Sequence, residues 1–147
     1  MTPIRHLTPQ DCARLFEEHK LTPTRDSYLT ASCGCLLGVL AVAKLRWAQA
    51  NEALAKARLQ CEMDGTPVAQ TLGAASGLDP SYAQGLNDGF SFGGELHRGG
   101  VERKLYKRGA HDGVAVCILV FPSGGTGTQR PSGAENSGGA PEAPPSS

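Results

Sequence analysis

Asp88 and Asp112 have the strongest claim to chemistry in this 147-residue chain, because each closes the same phrase, Tyr-x-x-Gly-x-x-Asp-Gly, said once from Tyr82 and again from Tyr106. Two carboxylates on facing helices, with His111 or His97 beside them, are the donor types that hold a divalent cation in helical bundles. The bundle sites of that kind use Glu-x-x-His pairs, and this chain has none. The alternative is architectural: each Asp accepts a hydrogen bond from the Tyr hydroxyl, or from a free N–H, of the opposing helix. The sequence favours that second role, with no cofactor and no metal.

Cys33-Gly34-Cys35 invites a zinc or redox reading. On a helix, positions i and i+2 point about 200° apart, so the two thiols would neither chelate one ion nor bridge there. Five Cys in a chain whose charged N-terminus is unlike a secretory signal point to reduced thiols and a cytoplasmic protein. Around the second phrase, Arg103, Lys104, Lys107 and Arg108 span about 140° of a helix, opposite its Gly/Tyr side. Such a face would suit phosphate groups or another polyanion. No aromatic residue interleaves with these charges to stack bases. The formal net charge is zero, with 14 basic and 14 acidic residues, so no global attraction to nucleic acid or anionic membrane is expected.

The elements that must position these residues read as helices. Every proline before residue 122 follows Thr or Asp, at Thr2, Thr8, Thr22, Thr66 and Asp79. An extended residue with a side-chain oxygen, followed by proline at the first helical position, is a helix start. Thr8 should open a helix running to about residue 20, with Leu15 and Phe16 inward. Leu29, Cys33, Leu36, Leu40, Ala43, Trp47, Ala50, Leu54, Ala57 and Cys61 are spaced alternately four and three apart. That seam predicts one long helix over about 26–60, although a break near 46–51 also fits. A helix of that length outgrows its domain, so Trp47, Leu54 and Cys61 become candidates for an interface with a second copy or another protein.

A short helix over 67–75 and another opening at Asp79 should come next. The last element spans about 102–120; its apolar end at 114–121 fits either a helix or a buried strand, and helix is preferred. Within the two phrases, Tyr82, Gly85 and Gly89 share one side of a helix, as do Tyr106, Gly109 and Gly113. Glycine in a helix interior costs about 1 kcal/mol relative to alanine. Its matched use suggests two helices crossing at their glycines, with Gly34-x-x-x-Gly38 a third surface of the same kind. The uncharged run over 27–43 is read as a buried core helix and not a membrane span.

The expected fold is therefore an all-α bundle of about five helices over 1–121, with one long helix and a Gly-x-x-x-Gly pair. Residues 122–147 carry six Gly, five Pro and five Ser and no large apolar side chain, which reads as a disordered tail. The leading functional expectation is a non-catalytic interaction module, self-associating through the seam. The second is an anion or nucleic-acid binder using Arg103, Lys104, Lys107 and Arg108. The third is a small metal-dependent enzyme using Asp88, Asp112 and His111.

Overall fold

The computed structural model describes residues 8–121, which form six helices and one two-residue parallel strand pairing. The expected tail at 122–147 lies outside the described residues. Helix α1, Pro9–Glu18, opens on a full capping box: the Thr8 hydroxyl accepts from the Asp11 N–H, and the Asp11 carboxylate accepts from the Thr8 N–H. Each satisfies a donor the helix itself leaves free. Cys12 and Phe16 are its buried residues, and Leu15 is only half-buried.

The segment after α1 departs from the sequence reading. Thr22-Pro23 does not open a helix; it is β1, Thr22–Pro23, paired in parallel with β2, Cys33–Gly34. The residue before proline prefers extended backbone, and a strand satisfies that preference as well as an N-cap does. The chain between the strands folds on itself, with Thr30 Oγ1 accepting from the Cys33 N–H at 3.0 Å and Tyr28 O accepting from the Cys35 N–H at 3.1 Å. Short hydroxyl side chains compete with helical bonding in this way. Leu29 and Cys33 therefore sit outside any helix, and the seam begins at Leu36.

Helix α2, Leu36–Leu45, is the hub, packing against α1 and the next three helices. Leu36 through Val42 are all buried, the pattern of a helix with core on every side. Burying each of its Leu and Val side chains contributes about 1.5–3 kcal/mol. At Gly38, a Cβ would run into the carbonyl of Tyr28, so this glycine seats the 28–35 loop and makes no helix–helix surface. Gly34 lies in β2.

The predicted rod is broken at Arg46, whose φ of 74° lies in the left-handed region. Helix α3, Trp47–Asp64, starts directly after it. Ala50, Leu54 and Ala57 are buried, so the seam is covered by the chain's own core on both sides of the break. Gly65 ends α3 at φ 80°. Thr66 does not cap the next helix: its N–H and hydroxyl both bond back to Asp64 Oδ1, and α4, Val68–Ala75, starts after Pro67 with no side-chain cap.

Helix α5, Pro80–Phe92, starts on Asp79, whose Oδ1 accepts from the Ser81 N–H at 2.8 Å, and ends at Gly93. Phe90 stacks on Phe16 with centroids 6.0 Å apart. Helix α6, Arg103–Val120, includes the apolar stretch that also fitted a strand. The compact unit closes at Val116; beyond it, the described residues are the last turn of α6 and Phe121, whose N–H bonds Cys117 O. Among the described residues, no helix is long and apolar enough to cross a membrane.

Candidate functional site

The two repeated phrases meet. A Cβ on Gly85 would overlap the Tyr106 carbonyl oxygen and come within 2.9 Å of Gly109 Cα; one on Gly109 would overlap the Tyr82 carbonyl oxygen and lie 3.0 Å from Gly85 Cα. Gly89 faces Ala110 and Val114, while Gly113 faces Leu86 and Phe90, which are the same positions with the two helices exchanged. A step of four residues along α5 matches a step of four along α6 in the same sense. The helices therefore run in the same direction and are related by a pseudo-twofold axis.

Neighbouring helices in a chain usually run antiparallel through a short loop. Here the connection over 94–102 must return along the length of α5, about 20 Å at 1.5 Å per residue. It is anchored on the way: the Leu96 N–H donates to the Tyr106 hydroxyl at 2.6 Å, and the Glu102 N–H reaches Ser81 Oγ at 2.8 Å, beside the start of α5.

Each tyrosine bonds to the aspartate of the other phrase. Tyr82 Oη donates to Asp112 Oδ2 at 2.5 Å, and Tyr106 Oη donates to Asp88 Oδ2 at 2.7 Å. The two pairs flank the glycine crossing on either side of the axis. Burial, reinforced by the neighbouring aspartate, raises both phenols above their ordinary value, so they remain donors at neutral pH.

The environments of the two pairs differ. Asp88 is 0% exposed and takes a two-pronged contact from Arg98, Nε at 2.8 Å and Nη2 at 2.7 Å, plus the Gln84 amide at 3.1 Å. A buried carboxylate needs such a partner, and the planar guanidinium fork matches its geometry. That bond also holds the Arg98 guanidinium more firmly charged than usual. Asp112 is half-buried, and among the described residues its side chain accepts from the Tyr82 hydroxyl.

Both oxygens of Asp88 are thus engaged within the fold, and His97 and His111 are exposed. Among the described residues, no three His, Cys, Asp or Glu side chains converge as a metal-binding group. Cys33 and Cys35 lie in extended backbone and not on a helix; Cys33 is half-buried, Cys35 is buried, and both are free thiols.

Arg103, Lys104, Lys107 and Arg108 are all exposed on the first two turns of α6. Arg103 pairs with Glu95 at 3.4 Å and sets its guanidinium 5.7 Å from the Tyr106 ring centroid. Of the interface candidates, Leu54 is buried at 3% exposure, Cys61 is half-buried, and Trp47 is 44% exposed. Leu54 is thus covered by its own chain and cannot serve a partner.

By sequence, Arg98 is one more basic residue of the stretch that leads into α6, and nothing in that run of charge points to its bond to Asp88. The available signal is its position as the single Arg between two Gly-Gly pairs, Gly93-Gly94 and Gly99-Gly100. The sequence also leaves unmarked Leu59 and Met63, exposed on the far side of α3 from its buried seam. The chain matches no protein-family model, no curated protein and no solved structure.

Proposed function

We propose that the protein is a non-catalytic helical interaction module that self-associates through the outer side of α3. One observation carries the reading: Asp88, the carboxylate with the best claim to catalysis, is engaged inside the fold, while Leu59 and Met63, one turn apart, project from the outer side of α3 at 56 and 72% exposure. Trp47, on the seam side at the start of α3, is not part of that patch. Exposed large apolar side chains grouped on one element are the usual mark of an association surface. Native mass spectrometry across the micromolar range tests it. A dimer that Leu59→Lys with Met63→Lys dissociates supports the reading, and a monomer at every concentration overturns it. Leu54→Asp is unsuitable as a test, because it would unfold the core.

A second reading is favoured by the exposed cluster on α6. Arg103, Lys104, Lys107 and Arg108 stand at a helix N-terminus, where the backbone dipole adds to their charge. Polyanion binding through them predicts salt-sensitive retention on a heparin column, lost when Lys104, Lys107 and Arg108 are changed to Glu.

A further inference from the structure

One buried polar group is left without a purpose by the crossing. Asn87 lies in α5 between Leu86 and Asp88, at 9% exposure, and its side-chain amide makes no hydrogen bond among the described residues. An amide offers two donor and two acceptor positions, and burying them unpaired is costly. Gln84, one turn earlier, shows the ordinary solution: its amide is shared between Gln70 and Asp88. The crossing does not require an amide at position 87. The matching residue of the second phrase, His111, is exposed.

Asn87 opens onto a hollow of about 150 Å³ between α5 and the loop that precedes α2. A cavity of about that size is enough to hold benzene. Its wall includes Tyr28, Cys35, Ser91 and Phe92. The Tyr28 hydroxyl also lacks a partner among the described residues, and burial, with Cys35 nearby, pushes it up to about 12, so it is a donor at neutral pH. Burial pushes the Cys35 thiol up to about 11, which keeps it uncharged. The wall is held in place beforehand, because the Tyr28 carbonyl is fixed by the Cys35 N–H and by close contact with Gly38. Phe92, 63% exposed, sets a ring at the mouth. Arg25 and Asp26 beside it carry opposite charges, so the site selects no net charge.

We infer that this hollow binds a small, uncharged, planar molecule with an adjacent donor and acceptor on one edge, such as an aromatic carboxamide or a nucleobase. The Asn87 amide pairs with that edge in two parallel hydrogen bonds, as asparagine does with a base edge. Tyr28 and Ser91 supply single further bonds, and Phe92 covers one face by stacking. A second hollow, bounded by Cys12, Tyr82 and Asp112, measures about 20 Å³ and has room for a water molecule only.

Saturation-transfer NMR on the full chain tests the inference, with nicotinamide, adenine and uracil as probes and with toluene and benzoate as apolar and charged controls of similar size. The expected result is mutually competitive binding of the amide-edged probes at millimolar or lower concentration, with neither control binding as well. Asn87→Leu should weaken binding at least tenfold and raise the melting temperature of the unliganded protein, since it removes an unpaired buried amide. Phe92→Ala changes an exposed side chain, leaves the fold intact, and should weaken binding three- to tenfold. No saturation transfer from any amide-edged probe, tighter binding of toluene, or unchanged binding in both variants would each overturn it.

Discussion

The two copies of the Tyr-x-x-Gly-x-x-Asp-Gly phrase make the same contacts from opposite situations in the molecule. In α5 every residue from Ala83 to Phe90 is buried; in α6 the matching stretch alternates, with Lys107, Arg108 and His111 exposed. The shared residues build the crossing, and the unshared ones decide depth. Ala83, Gln84 and Asn87 let α5 lie inside the fold, where Lys107, Arg108 and His111 hold the corresponding side of α6 in water. Depth then sets the needs of each Tyr–Asp pair. The deeper carboxylate, Asp88, is matched by Arg98; the shallower one, Asp112, is half-buried, and among the described residues no ion pair is found at it.

Removing the shared glycines should break the comparison most severely. Gly85→Val or Gly109→Val would drive a side chain into the opposing backbone and should cost about 3 kcal/mol or more in denaturant unfolding, the upper range for overpacking. Gly93→Ala is the contrasting variant: φ is 80° but nothing lies within 4 Å, so only the left-handed strain of about 1 kcal/mol is expected. Equal losses at Gly85 and Gly93 would show that close approach is not what Gly85 provides.

The carboxylates come next. Asp88→Ala leaves Arg98 without its carboxylate and the Tyr106 hydroxyl with only its Leu96 contacts, and should cost about 3 kcal/mol, the scale for breaking a buried ion pair. Asp112→Ala removes one partly exposed acceptor and should cost about 1 kcal/mol. A ratio near one in thermal unfolding would mean that the pseudo-symmetry extends to energetics and that depth does not matter.

Alkaline pH sharpens the contrast at smaller scale. Burial, with Asp11 and Asp112 adding to it, pushes the Cys12 thiol up from 9.0 to about 11, and burial does the same to Cys35. The unfolded chain loses these protons from about pH 9, whereas the folded protein holds them until about 11. Unfolding therefore becomes easier as pH rises through that window, and stability is full below it. The melting temperature should fall between pH 9 and 11, and Cys12→Ala should reduce the slope. An unchanged slope in that variant would remove Cys12 from the account.

Several of these features could be read from residue order alone. Thr8 and Asp79 cap helices, as Thr-Pro and Asp-Pro predict, yet Thr22 and Thr66 do not. Before proline, an extended residue fits a strand or a turn equally, so the dipeptide restricts one dihedral pair without choosing the element. The seam residues from Ala50 to Ala57 do face the core, but the rod they implied is cut at Arg46. A left-handed arginine has no local marker, since tertiary packing alone repays its strain. Seeing Tyr82, Gly85 and Gly89 on one side required only the helical period. The repeat itself offers each Tyr hydroxyl to the Asp of the opposing helix, as Tyr82 and Asp112 are found. That α5 and α6 run in one direction is not legible, because it is set by the path of the residues between them. Asn87 gave no signal, because polar residues inside a helix are ordinarily at the surface.

The shared direction of α5 and α6 also governs how the pair can assemble. An antiparallel helical hairpin zips from its turn, each contact shortening the next loop to be closed. Two helices running the same way gain no such head start. Their first contact already closes the whole connection, and the loop entropy is spent before any glycine meets its partner. The α5–α6 pair should behave as a clasp that is either shut or open, and an isolated 79–116 peptide should not populate a half-closed hairpin.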